Sequence, residues 1–276
     1  MIKLRSLIPL REAYASDLEE NPYSFLQKHC PIALKNYKVG NILWRGDKGI
    51  KQPATLISPA KAGAPRLSKD TYNAYVAYMK ASPAWRKYPD RMWSIICGGK
   101  ETAKDFSGVA NLYAVFPVGD PQFAVARGAD FIKVEIDTGN KDDEVAVWAF
   151  DNALHGIMRG IPPYADRDQF RHLLHAGIES MKNHNEPLPP QPGDFRAATD
   201  NISDIILKAS SVEEAEKTIY RLFTPQSSKT KLMNYSKMNG LDMDEECWTE
   251  GDCVIINSAA IDDVFADGED EQGNVL

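Results

Sequence analysis

Three short segments, far apart along the chain, carry residue types that could hold a phosphate group and a sugar. The first is Leu43-Trp44-Arg45-Gly46. The planar guanidinium of an arginine offers paired N–H groups that match two phosphate oxygens. Gly46 has no side chain, so a ligand can approach the backbone closely there. A strand-end arginine in a salt bridge, followed by a turn glycine, would give the same short string.

The second segment, residues 91–97 (RMWSIIC), places one serine among large apolar residues. If the segment is a strand, alternation puts Ser94 on the face opposite Trp93 and Ile95. A buried hydroxyl needs a hydrogen-bond partner. Ser94 is therefore either a ligand-facing hydroxyl or a core serine bonded to the backbone.

The third segment, residues 242–250 (DMDEECWTE), is a cluster of carboxylates that leads into a late apolar run. Asp244 and Glu246 are two apart, so in extended structure they share a face. A pair of acids beside a bound sugar could orient its hydroxyls and stabilise positive charge forming at an anomeric carbon. A solvated acidic turn is the alternative. Cys247 has no histidine near it in sequence, which argues against a nucleophilic role.

Hydrophobic patterning predicts the elements that must position these segments. The predicted strands are 41–46, 54–57, 91–97, 112–116, 122–125, 131–136 and 246–256, the last broken by a turn at Gly251-Asp252. The predicted helices are 16–27 (interrupted by Pro22), 69–80 (with Ser68 as N-cap), 101–106, 142–158, 166–182, 201–209 and 212–222. Runs of strands separated from runs of helices predict an α+β fold. The late strand must return to the early sheet to find partners, which would bring its acids beside Arg45.

Composition limits the classes of partner. The chain has 276 residues, 43% of them hydrophobic, and a formal net charge of −7. A negative protein repels phosphate backbones and anionic lipids, so nucleic acid is not expected as a general partner. The longest apolar runs are short, for example residues 253–256, and none approaches the length of a membrane span. No membrane partner is therefore expected. Four cysteines without a C-x-x-C pair, and no signal-peptide pattern after Met1, predict free thiols in the cytoplasm.

The order of Arg45, Ser94 and Glu246 resembles the mono-ADP-ribosyltransferase superfamily of the Arg-Ser-Glu type. That family places an arginine on an early strand, a serine element on a middle strand and an acidic pair on a late strand. The chain also looks similar to ADP-ribosyltransferase-like domains of bacteriophage proteins. The residues that carry this second resemblance are Pro65-Arg66-Leu67-Ser68, Trp85, Tyr88-Pro89, Arg91, Ser94, Tyr113, Phe116-Pro117 and Glu246-x-Trp248.

The resemblance implies a fold and a domain plan. The fold would be α+β, an ADP-ribosyltransferase-like split β-sheet core with surrounding helices. Residues 41–260 would form this domain, after an N-terminal helical segment at 1–40. The composition of residues 261–276, rich in Asp, Glu and Gly, predicts an acidic disordered tail after this domain. A phage-encoded protein of this kind would act in the host cytoplasm.

The resemblance also implies a reaction, the cleavage of the nicotinamide–ribose bond of NAD and transfer of ADP-ribose to an acceptor, expected to be a protein. Glu246 would bond a ribose hydroxyl and favour the cationic transition state. Arg45 would hold the pyrophosphate or the adjacent ribose, and the backbone of Gly46 would meet the nicotinamide amide. Ser94 would support Glu246 and the nicotinamide ribose. NAD is the substrate, and the chemistry requires no metal.

Two further roles follow from the resemblance. Asp244 would meet the acceptor and orient or deprotonate its nucleophile. Trp44 and Trp248 flank the predicted site, where they would either stack on nicotinamide or adenine or pack in the core.

Departures from the family pattern leave alternatives open. Ser94 is followed by Ile95-Ile96 where the family has Thr-Ser, and Asp244 is shorter than the usual Glu or Gln. Glu245 or Glu250 would be the working acid if the register differs. A catalytically inactive structural or interaction protein, for example a virion component, is the second hypothesis.

A metal-dependent hydrolase is the third hypothesis. It would use His172 and His175, three apart on a predicted helix, but the sequence shows no third ligand near them.

Overall fold

The structure is a computed structural model. It describes residues 18, 20–48, 50, 52–59, 65–68, 71–107, 111–127, 130–136, 145–162, 165–189, 195–238 and 245–266.

The chain folds into helices and short strands. The helices are α1 (Pro22–His29), α2 (Pro31–Lys38), α3 (Ala74–Ala81), α4 (Lys100–Ser107), α5 (Val147–Met158), α6 (Arg167–His184), α7 (Phe195–Lys208), α8 (Val212–Leu222) and α9 (Ile261–Ala266). The strands are β1 (Leu43–Gly46), β2 (Ala54–Ile57), β3 (Ile95–Gly98), β4 (Leu112–Pro117), β5 (Gln122–Arg127), β6 (Glu135–Ile136), β7 (Val145–Ala146), β8 (Lys231–Asn234), β9 (Glu245–Thr249) and β10 (Cys253–Asn257).

The chain divides into two compact units. The first takes its residues from 1–62, 94–123 and 233–276, and the second from 63–93 and 124–232. Each unit is therefore built from segments that are distant in sequence. The predicted combination of a β-sheet with surrounding helices is confirmed, and the structure shows that the sheet is large and antiparallel. The finer prediction of an ADP-ribosyltransferase-like split sheet stays a prediction.

The large sheet has the strand order β2-β10-β4-β1-β3-β9-β5-β8. The late strands return to the early sheet, as the sequence predicts: β9 pairs with β3, and β10 lies between β2 and β4. The predicted break between them at Gly251-Asp252 is also found. Cys253 to Ile256 are fully buried, which explains why this run is apolar without alternation.

The second unit has an aromatic core. The ring of Tyr78 packs edge-on against Phe150 and is stacked with Phe223. The Tyr78 hydroxyl donates to the carbonyl oxygens of Ile219 and Phe223, at 3.2 and 3.0 Å, and the Trp85 indole donates to the Phe223 carbonyl at 3.1 Å. These bonds satisfy the polar atoms of the buried aromatic side chains and the carbonyl groups at the C-terminal end of α8, which lack partners within the helix.

Helix α3 begins later than predicted because its N-terminus is capped by a distant carboxylate. The sequence predicts Ser68 as the N-cap of a helix from Lys69, but the helix starts at Ala74. The carboxylate of Asp151, on α5, accepts from the Tyr72 and Tyr75 backbone N–H groups at 2.7 and 2.8 Å. The Ser68 backbone instead bonds the side chain of Asn73.

Replacing Asp151 by alanine is expected to lower the free energy of unfolding by about 1–3 kcal/mol, because it leaves the backbone N–H groups of Tyr72 and Tyr75 without this acceptor. Burial raises the pKa of Asp151, and its backbone N–H donors oppose this. Alanine also removes the cost of burying a polar carboxyl group, which moderates the loss. Urea unfolding measures the change. The control is Asp204→Ala, whose side chain is 65% exposed on α7. Equal unfolding midpoints for the two variants would contradict the capping role.

In two other places, an aspartate side chain stabilises a 3-10 helix where the sequence pattern predicts a strand. The predicted strand 91–97 begins as a 3-10 helix at Arg91–Trp93, and only β3 is extended. Asp90 causes this, because its side chain accepts from the Met92 backbone N–H at 3.0 Å. In the predicted strand 131–136, Asp130 caps a 3-10 helix at Phe131–Lys133 in the same way.

Predicted and observed element boundaries can also be compared near both ends of the chain and at α5. The predicted interruption at Pro22 is found: Leu18 and Glu20 are helical, Asn21 is not, and α1 begins at Pro22. The Asn21 side chain caps α1 by accepting from the Ser24 N–H. The predicted helix 142–158 begins at Val147, and residues 142–144 lie outside the described ranges. Helix α9 occupies part of the range predicted as a disordered tail, and residues 267–276 lie outside the described ranges.

Candidate functional site

Arg45 lies on β1 in the middle of the sheet and is already engaged by protein atoms. Its Nε and Nη2 donate to Asp47 Oδ2 at 3.2 and 2.9 Å, and its Nη1 donates to the Ile96 carbonyl oxygen at 3.2 Å. These bonds leave at most two of the five guanidinium N–H groups for a ligand. The side chain is 18% exposed, so solvent reaches it. The salt bridge considered in the sequence analysis is therefore present, and a bound phosphate would share the guanidinium with Asp47 or displace it.

Trp44 and Gly46 flank Arg45 on β1. The Trp44 side chain is buried, and the Lys100 ammonium lies 4.8 Å from its ring centroid. A cation on the ring face and burial of the ring favour the core-packing alternative for Trp44. Gly46 ends the strand opposite Leu112 of β4 and is half-buried.

Ser94 is the link between the 3-10 helix Arg91–Trp93 and strand β3. It is buried and lies in a bend, outside the strand in which the sequence predicts it. Ser94 is therefore not in extended structure, and strand alternation does not decide which way its side chain points. The reason is the turn at Asp90, which keeps the backbone out of the strand conformation as far as residue 93. The position of Ser94 still puts it at the beginning of the strand that separates β1 from β9.

Glu246 lies on β9 directly opposite Gly98 of β3, and Gly98 lies opposite Trp44 of β1. The three residues form one row across neighbouring strands. Glu246 is buried, with 3% of its surface exposed. A Cβ atom on Gly98 would lie 3.1 Å from the Glu245 carbonyl oxygen, so a side chain would crowd this row. The sequence indicates Gly98 only as the end of a strand. Its place beside Gly99 is nevertheless a signal that another backbone segment approaches closely there.

The strand pleat decides which of these side chains share a face. Neighbouring residues on a strand point to opposite faces, and directly paired residues point to the same face. Trp44 and Glu246 therefore share one face of the sheet, and Arg45 lies on the other. By the same alternation Glu245 is on the face of Arg45. The structure brings the strands of Arg45 and Glu246 close together, with β3 between them, but it does not put the two side chains on one face.

The remaining acids are placed differently. Asp244 lies outside the described ranges, so its predicted role stays a prediction. Glu250 is exposed in the bend after β9. Trp248, on the face of Glu246, is fully buried and belongs to the core. Of the three acids considered as the working group, Glu245 and Glu246 are the two that lie within the sheet.

The cysteines are buried, free thiols, in agreement with the sequence prediction of no disulfides. Cys97 and Cys247 lie directly opposite each other on β3 and β9. Burial raises the pKa of the Cys247 thiol well above its ordinary value, and the neighbouring Cys97 raises it further. A thiol in this environment stays protonated at neutral pH, which argues against Cys247 as a nucleophile.

The histidines considered for the metal hypothesis lie on α6. His175 Nε2 is 2.8 Å from Glu216 Oε2, and His172 is exposed. Within the described ranges, the structure has no group of three His, Cys, Asp or Glu side chains suited to a metal ion. In the same ranges no helix combines the length and the hydrophobicity that crossing a membrane requires.

Comparisons with known proteins add no relatives. Neither the protein-family models nor the curated proteins contain a match to this chain. The solved structures contain none either.

Proposed function

We propose that the chain is an NAD-dependent ADP-ribosyltransferase whose site lies where β1, β3 and β9 are neighbours. The observation that supports it most is this adjacency. Arg45, Ser94 and Glu246 come from distant parts of the sequence, and their positions lie on or directly before three consecutive strands of the sheet. The resemblance to the Arg-Ser-Glu type transferases predicts such a convergence.

The proposed chemistry needs one carboxylate near the ribose carbon that loses nicotinamide. The transition state carries positive charge on the sugar ring, and a fixed negative group stabilises it more than it stabilises the neutral ground state. Glu246 is buried, and a carboxylate in a site of low dielectric attracts a developing cation more strongly than one in water. We assign this role to Glu246 first.

Glu245 is the alternative candidate for the carboxylate near the ribose. It shares a sheet face with Arg45, which the proposal places on the NAD pyrophosphate, and it is only half-buried. If NAD binds on the face of Arg45, the carboxylate that reaches the ribose is Glu245 and Glu246 has a structural role.

An inactive structural or interaction protein is the second candidate function. The contacts of Arg45 with Asp47 and the Ile96 carbonyl favour it, because they give the guanidinium a structural role that needs no ligand. Burial of Trp44 points the same way.

Direct measurement of NAD turnover tests the proposal. We expect the purified protein to bind NAD in calorimetry, to release nicotinamide, and to transfer tagged ADP-ribose to a protein acceptor. If NAD occupies the sheet face that Arg45 shares with Glu245, Arg45→Lys is expected to weaken NAD binding at least ~10-fold, because an ammonium cannot reproduce the paired N–H groups of a guanidinium. If NAD occupies the opposite face, with Glu246, the affinity of Arg45→Lys should be unchanged. Arg86→Lys, an exposed arginine outside the site, is the matched control.

Three results would contradict the proposal in whole or in part. Wild-type protein that neither binds nor cleaves NAD would favour the inactive alternative. Unchanged NAD affinity in Arg45→Lys would remove Arg45 from the site. Nicotinamide release with free ADP-ribose as the product and no labelled protein would identify water as the acceptor and replace transfer by hydrolysis.

A further inference from the structure

The second unit contains a cavity of about 590 Å³ whose lining is richer in positive than in negative side chains. It lies between the end of α3 and the helices α6 and α8. The basic lining residues are Arg167, Arg171, Lys217 and Arg221, and the acidic ones are Asp168 and Glu216. Since the chain as a whole carries a net charge of −7, this local excess of positive charge runs against its overall composition.

Glu216 neutralises part of the positive charge at the cavity by pairing with Arg171, and the lining still has more basic than acidic side chains. Arg171 donates to Glu216 from Nε at 2.9 Å and from Nη2 at 3.2 Å, and His175 Nε2 lies 2.8 Å away. The Glu216 side chain is only 9% exposed. This carboxylate therefore orients the guanidinium of Arg171, whose other N–H groups remain available to a ligand.

The other side of the cavity is apolar. Ala81, Pro83 and Ala84, at and after the end of α3, form one wall. The ring of Tyr220 adds a half-buried aromatic surface, and burial raises the pKa of its hydroxyl to about 12. The phenol is therefore neutral at physiological pH. A cavity with cations on one side and apolar surface on the other fits a ligand with an anionic group and a less polar body.

We propose that this cavity binds a small organic phosphate about the size of a mononucleotide. Arg167, Arg171 and Arg221 would hold the phosphate, because guanidinium groups match phosphate oxygens in charge and geometry. The alanine and proline wall and Tyr220 would cover the organic part. This site is separate from the proposed NAD site, since all its lining residues belong to the second unit and Arg45 and Glu246 belong to the first.

Calorimetry with AMP tests the proposal. We expect AMP to bind the full-length protein at low ionic strength, at least ~10-fold more tightly than inorganic phosphate or adenosine. The double variant Arg167→Ala/Arg221→Ala is expected to lose AMP affinity at least ~10-fold, since two charge-assisted hydrogen bonds are removed. The matched control is Lys208→Ala, an exposed cation of the same unit that does not line the cavity.

The outcomes also separate this site from the NAD site. AMP affinity that is unchanged in Arg45→Lys supports the cavity, and affinity that is lost in Arg45→Lys but kept in the double variant overturns it. Absence of AMP binding in the wild type, or equal affinities for AMP and inorganic phosphate, overturns it as well. The double variant should retain any nicotinamide release that the wild type shows.

Discussion

Glu246→Gln is expected to lower the rate of NAD cleavage at saturating NAD by ~100-fold or more, the scale of a lost electrostatic contact with the transition state. Glutamine keeps the size and one acceptor oxygen of glutamate but lacks its charge. Because glutamine fills the same volume as the buried Glu246 side chain, the variant is expected to retain the fold. Nicotinamide release gives the rate, and urea unfolding confirms that the fold is retained.

Glu245→Gln and Glu250→Gln are the comparison variants that identify the acid. Glu250 is exposed in a bend, and its variant is expected to keep wild-type activity. A large loss in Glu245→Gln with full activity in Glu246→Gln would move the reaction to the sheet face of Arg45. Wild-type activity in all three variants would exclude a catalytic role for the acids of β9 and its following bend.

Gly177→Ala is expected to lower the free energy of unfolding by about 3 kcal/mol or more. Gly177 lies on α6 where it crosses α5, and a Cβ atom there would lie 2.1 Å from the Ile157 carbonyl oxygen. The obstacle is backbone, so it cannot be relieved by a side-chain rotation and the two helices must separate. This puts the substitution at or above the upper end of the usual cost of overpacking, and the gain in helix propensity of ~1 kcal/mol is smaller.

Gly156→Ala is the control for this prediction. Gly156 lies on α5, and an added Cβ atom would meet only Leu188 Cδ2, at 3.3 Å. The end of a leucine side chain can move by a few tenths of an ångström, so the gain in helix propensity should leave the stability within about 1 kcal/mol of the wild type. Urea unfolding of both variants measures the difference. Similar midpoints would show that the crossing at Gly177 is not tightly packed.

Local patterns predicted the elements whose signals lie within a few residues. The bounds of β2 and α8 are those expected from the sequence. Helix α8 begins where Ser211 accepts from the Glu214 N–H, and this N-cap is readable from neighbouring residues. The prediction for α3 failed because its cap comes from Asp151, which lies on another helix.

The sequence by itself determined which residue types were present for the proposed chemistry and that late strands must join early ones. Only the tertiary structure decided that β3 separates β1 from β9 and that Arg45 and Glu246 face opposite sides of the sheet. The physical reason is the two-residue period of a strand. A shift of one residue in register moves every side chain to the other face, and the register depends on partner strands that are remote in the sequence.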